Sequence, residues 1–203
     1  DDTIDLLDKR IEGWVAGLQL VSLSMLDVSK PATFVRNLNR SNRYVMEYLS
    51  DEVLSRQPQA FQAFLLQTSI LDRLCGSLCE AVTKIEDPDF NGQAYLELIE
   101  RTNMFLVPLD NQQEWYRYHH LFQNLLADKL KAEYSTEEIR ELHHRAGNWY
   151  ADQGHVEEGI HHALSAKDIE LAVGIVEANS QELLNRFEQQ TLARWLSLLP
   201  EEA

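Results

Sequence analysis

Apolar residues recur with a helical period along almost the whole 203-residue chain. Trp14, Leu18, Val21 and Met25 make one such stripe, Leu142, Ala146, Trp149 and Tyr150 a second, and Leu192, Trp195, Leu196 and Leu199 a third. The pattern predicts about a dozen helices. A first group runs from residue 3 to 56 and takes in Phe34-Val35-Arg36-Asn37-Leu38 and Tyr44 to Leu54. Gln57-Pro58 closes it, because the residue before proline avoids helical angles. A second group opens with a helix from Ala60 to Leu71, which carries Phe61, Phe64, Leu65 and Thr68 on one face. Cys75 to Val82 and Ala94 to Thr102 are the next two helices, separated by a loop around Pro88.

The period then changes. Phe105-Leu106-Val107-Pro108-Leu109, a polar turn from Asp110 to Glu114 and Trp115-Tyr116-Arg117-Tyr118 read as a β-hairpin. Helices followed by a hairpin are the topology of a winged helix, and a further helix from His119 to about Glu133 completes the unit. The last group starts at Ser135. With Glu138 it fits a capping box, in which serine caps the helix and glutamate reaches back. Helices over 136–153, 156–166, 168–184 and 188–199 follow, joined by connections as short as Gln153-Gly154-His155, so neighbours run antiparallel. Gly147, Tyr150, Ala163 and Ala166 are spaced as in a tetratricopeptide-like helix pair, with Gly159 where that pattern prefers alanine. A glycine there costs the helix about 1 kcal/mol. The fold class is therefore all-α with one short β-hairpin. The groups divide the chain at 1–57, 58–134 and 135–203.

Composition narrows what such a fold can do. The formal net charge is −15, with 25% charged and 44% hydrophobic residues. A surface this acidic repels phosphate backbones and anionic lipid, which argues against direct nucleic-acid contact and against a membrane. The helix in the recognition position, Ala94 to Thr102, carries Glu97 and Glu100 against the single Arg101, where phosphate contact calls for lysine and arginine. The longest apolar run, Trp14 to Met25, is interrupted by Gln19, Ser22 and Ser24 and falls short of the ~20 residues of a membrane helix. The chain opens Asp1-Asp2-Thr3, with neither a basic leader nor a methionine, and is expected to be an internal segment of a cytoplasmic protein. Cys75 and Cys79 lie one helical turn apart, and no second pair completes a zinc site; they read as small buried thiols in a reducing compartment.

The histidines come as His119-His120, His143-His144 and His161-His162, with His155 alone. Adjacent histidines on a helix point about 100° apart and chelate one ion poorly, so no metal is expected. Trp115, Trp149 and Trp195 sit on apolar faces as core residues, and Gly13 with Gly17 marks close helix packing. Neither a nucleophile–base constellation nor paired carboxylates stand out, and catalysis by this chain is not expected.

Several strings in order resemble one family. They are Glu12-Gly13-Trp14-Val15-Ala16-Gly17-Leu18-Gln19-Leu20, Tyr44 with Tyr48-Leu49 and Glu52-Val53-Leu54, and Phe64-Leu65-Leu66-Gln67-Thr68-Ser69-Ile70-Leu71. Leu106-Val107-Pro108-Leu109-Asp110, Trp115-Tyr116-Arg117-Tyr118-His119-His120-Leu121-Phe122, His162-Ala163-Leu164 and Arg194-Trp195-Leu196 continue the series. Together they resemble the large MalT-like, LuxR-family transcriptional activators of the STAND class over residues 11 to 200. The resemblance implies a nucleotide switch. A P-loop ATPase domain would precede this chain, which contains no G-x-x-x-x-G-K-[ST], and further sensor repeats and a DNA-binding domain would follow it. Residues 1–57 would be a helical lid, 58–134 the winged helix and 135–203 the start of a tetratricopeptide-like sensor array. ATP or ADP would be the cofactor of the full-length protein, with none bound by this chain alone.

The resemblance also implies a site. In related ATPases a histidine at the start of the helix after the wing touches the β-phosphate of ADP. That position is His119, and an imidazole N–H beside a helix N-terminus suits an anion. His120 is its candidate helper and stands where plant members carry aspartate. The competing function is a stand-alone tetratricopeptide-like protein-interaction module.

Overall fold

The computed structural model describes residues 54–83, 85, 90–101, 105–185 and 189–200. The expected helices of residues 3–53, the Gly13/Gly17 pair and the loop at Pro88 lie outside them. Pro58 precedes α1 (Gln59–Thr68), where its missing N–H costs nothing. Phe61, Phe64, Leu65 and Thr68 are all buried, the face that the spacing marked. The helix stops earlier than the expected Leu71. The Thr68 hydroxyl donates back to the Phe64 carbonyl (2.7 Å) and the Ser69 hydroxyl to that of Leu66 (2.7 Å), which closes the last turn.

α2 (Gly76–Val82) begins one residue later than expected, because Cys75 has extended angles and sits in the cap position. Cys79 is buried inside the helix and Cys75 is half-buried at its edge. α3 (Gly92–Arg101) packs on α2 through two glycines: a Cβ on Gly92 would come within 2.4 Å of the Gly76 carbonyl oxygen.

The hairpin follows as expected. β1 (Leu106–Pro108) pairs antiparallel with β2 (Tyr116–Tyr118), in the register Leu106 to Tyr118, Val107 to Arg117 and Pro108 to Tyr116. Its turn is wound around Asp110, whose carboxylate accepts from the backbone N–H groups of Gln112 (3.0 Å), Glu114 (3.1 Å) and Trp115 (2.9 Å). Leu74 adds a bridge on the other side of β2, with N–H to carbonyl bonds of 2.7 and 2.8 Å to and from Tyr116. The chain between α1 and α2 is thereby tied to the wing.

α4 (His120–Glu133) is followed by α5 (Thr136–Asp152), α6 (Val156–Ser165), α7 (Ile169–Asn185) and α8 (Gln189–Leu198). Both halves of the capping box at Ser135 and Glu138 are present. Gly154 makes the α5–α6 turn at φ 77°, a backbone angle that side-chain-bearing residues rarely adopt. One core runs from Leu54 through the winged helix to Leu142, Ala146 and Tyr150 of α5. A second, smaller core joins Val156, Ile160 and Ala163 of α6 to Ala172, Ile175, Val176 and Trp195. α5 thus gives one face to the winged helix and lies with its other side against α6. No helix among the described residues is long and apolar enough to cross a membrane.

Candidate functional site

The wing delivers His119 to the start of α4. Tyr118, the last residue of β2, is buried, and its hydroxyl lies 2.7 Å from that of Thr68 on α1. Burial holds the Tyr118 phenol well above its ordinary range, so it stays protonated. His119 then donates its backbone N–H to the Phe105 carbonyl at 2.6 Å. Phe105 is at φ 61°, and its ring stacks on Phe122 of α4 at 4.6 Å. The His119 side chain is 3% exposed and caps α4: Nδ1 accepts from the Leu121 N–H at 3.3 Å. A helix from His119 was expected; at ψ 135° that residue is instead the cap, and α4 begins at His120. An Nδ1 used as acceptor places the proton of the neutral ring on Nε2. His120 is exposed, so the two adjacent imidazoles diverge, one inward and one to solvent.

A second cluster lies where the winged helix meets α5 and α6. Arg73, between α1 and α2, bonds Glu158 of α6 and lies over the Trp115 ring, 4.8 Å from its centroid. Trp115 packs edge-on against Trp149 of α5 at 6.2 Å and against His155 at 6.0 Å. Both tryptophans are half-buried, whereas Trp195 is buried in the second core. Beside them is a cleft of about 570 Å³, lined in part by Asp72, Arg73, His143, Tyr150, Glu158 and His162. His143 of α5 and His162 of α6 face each other across it with their Nδ1 atoms 2.9 Å apart. Tyr150 stacks on His162 at 5.4 Å. Burial, then the neighbouring His143 and His161, pulls His162 down to about 4, and burial lowers His143 as well. Of the other members of the two doublets, His161 also lines the cleft, whereas His144 meets Asp168 at 2.9 Å. Among the described residues no three histidine, cysteine or acidic side chains converge as a metal site.

The hairpin behind three helices, with a further helix leaving from His119, is matched by the family model of the MalT winged helix domain over residues 50–138. The chain is MalT-like. It is 35% identical, over 98% of its length, to the HTH-type transcriptional regulator MalT of Yersinia pestis (strain Pestoides F). It is 32% identical, over 97% of its length, to the serine/threonine-protein kinase PknK of Mycobacterium tuberculosis (strain ATCC 25618 / H37Rv). The chain spans 22% of the first relative and 17% of the second.

Within this MalT-like fold the expected recognition helix presents two carboxylates that are already engaged, one by the wing and one by its own helix. Glu100 of α3 accepts from the Gln113 side chain (2.9 Å) and from the Tyr116 hydroxyl (3.3 Å), and Glu97 pairs with Arg101 at 3.6 Å. Arg73 was not singled out from the sequence, because it lies in a short connection whose neighbours carry no pattern. The His143–His162 contact was hidden for another reason. The doublets were visible, but only the α5–α6 crossing decides which member of each faces the other.

Proposed function

We propose that the chain is the regulatory middle of an ATP-dependent, LuxR-type transcriptional regulator, in which it links nucleotide state and inducer sensing to activation. The MalT winged-helix match with His119 placed as the cap of α4 is the observation that carries this reading. An imidazole whose Nδ1 accepts from its own helix carries its neutral-form proton on Nε2, and a ring N–H is the kind of donor a phosphate oxygen takes. An upstream P-loop domain holding ADP against the start of α4 would thereby keep the winged helix docked in the resting state, and exchange for ATP would release it. His120, exposed at the first turn, is the lesser candidate at the same anion. The segment acts by restraint and not by catalysis, and its partners are the neighbouring domains of its own polypeptide. The continuity of α5 with the winged-helix core favours this reading over a free-standing helical module.

The test uses the full-length protein with its P-loop domain. His119→Ala is expected to speed ADP release and raise inducer-independent transcription, while His120→Ala does less. Unchanged ADP retention in a folded His119→Ala protein rejects the assignment.

A further inference from the structure

We propose that the facing imidazoles of His143 and His162 form a two-proton lock on the α5–α6 crossing, which the second proton opens. Nδ1 atoms 2.9 Å apart are a hydrogen bond only if one ring carries its proton on Nδ1 and the other on Nε2. A first added proton then enters at Nε2 of the donor ring, which becomes imidazolium and still donates from Nδ1. A second can go only to the accepting Nδ1, where the lone pair holds the bond. That proton places two cations face to face and breaks the contact.

The surroundings favour the neutral, closed form. Tyr150 of α5 stacks on His162, and burial keeps its phenol protonated and uncharged. Of the carboxylates beside the pair, Glu158 of α6 is taken by Arg73. Asp72 comes from the connection that holds Arg73, and His161 of α6 adds a third imidazole. Two cations here have one uncommitted carboxylate in the cleft lining to balance them. The lowered affinity of both rings for protons agrees with this. Opening at this point separates α5 from α6 at the cleft, beside the Arg73–Glu158 clasp, so the lock controls how firmly α6 is held to the winged-helix side. The lock acts independently of the nucleotide contact proposed for His119.

Long-range proton–nitrogen correlation spectra of the 203-residue chain near neutral pH read the tautomers. One Nδ1–H ring and one Nε2–H ring are expected; two Nε2–H rings overturn the proposal. Hydrogen exchange, corrected for its intrinsic pH dependence, then follows α6 against α1 from about pH 7 to about pH 4. α6 is expected to lose more than tenfold protection relative to α1, with the loss tracking the second protonation. His143→Phe keeps a ring in the crossing and leaves His162 alone to titrate, and is expected to abolish the part of that loss that comes from placing two cations face to face. His162→Gln gives the same readout where His143→Phe does not fold. A folded variant that retains the full acid loss overturns the lock.

Discussion

Gly147 of α5 and Gly159 of α6 meet backbone to backbone: a Cβ on either would lie 3.3 Å from the other's carbonyl oxygen. Gly159 looked from the sequence like a plain cost to its helix, where alanine would be favoured. The cost instead permits the two backbones to touch at this point of the crossing, with no side chain between them there. Gly147→Leu is expected to destabilise by roughly 1–3 kcal/mol, because the added atoms meet main chain that cannot turn aside. Gly174→Ala in α7 is the contrasting case. A Cβ there meets nothing within 4 Å, so the change should stabilise by about 0.5–1 kcal/mol. Urea unfolding of the two variants checks both signs.

Stability should fall in acid. His162 titrates at about 4 in the fold against an ordinary 6.5, so between those values the unfolded chain binds more protons. The stabilisation is complete above about pH 6.5 and is lost as the pH falls toward 4. His162 alone corresponds to about 3 kcal/mol at most across that window. Chemical denaturation at a series of pH values should show a slope that flattens in a folded His162→Gln chain.

The capping box gives a local prediction. Ser135 receives the Glu138 N–H at 3.2 Å and Glu138 receives the Ser135 N–H at 2.8 Å. Ser135→Ala is expected to cost about 1 kcal/mol. Glu138→Gln, which retains a hydrogen-bond acceptor, should cost less. Thermal unfolding distinguishes them, and equal losses would contradict the cap as the source.

Arg73 makes two contacts of different worth. Its ion pair with Glu158 joins side chains that are 35% and 40% exposed, so a double-mutant cycle between them should give under about 1 kcal/mol. Its place over Trp115 should report optically. Arg73→Ala is expected to change tryptophan emission, and Glu158→Gln, which leaves the guanidinium in place, to change it less.

What was legible in the sequence was local. Pro58, the apolar spacing of α1, the change of period at Phe105 and the Ser135–Glu138 pair each act within a few residues, and each gave an element close to its observed bounds. The end of α1 shifted because the Thr68 and Ser69 hydroxyls compete for helix carbonyls, and the start of α2 because Cys75 is extended. Contacts that close only in three dimensions stayed hidden. Periodicity finds the apolar face of α5 but does not say that Leu142, Ala146 and Tyr150 face the winged helix. Nor does it reveal that Gly147 lies on the side facing α6. His119 was reached through resemblance; its burial and its hydrogen bond to Leu121 needed coordinates.

The placement of α5 has a practical meaning for anyone who cuts the gene. The family match ends at residue 138, yet three of the side chains that close the first core, Leu142, Ala146 and Tyr150, come after it. A polypeptide stopped at that edge would expose the underside of α2 and α4 and should be prone to aggregate. The natural place to stop is the left-handed turn at Gly154, where α5 is complete and every buried residue of the second core still lies ahead.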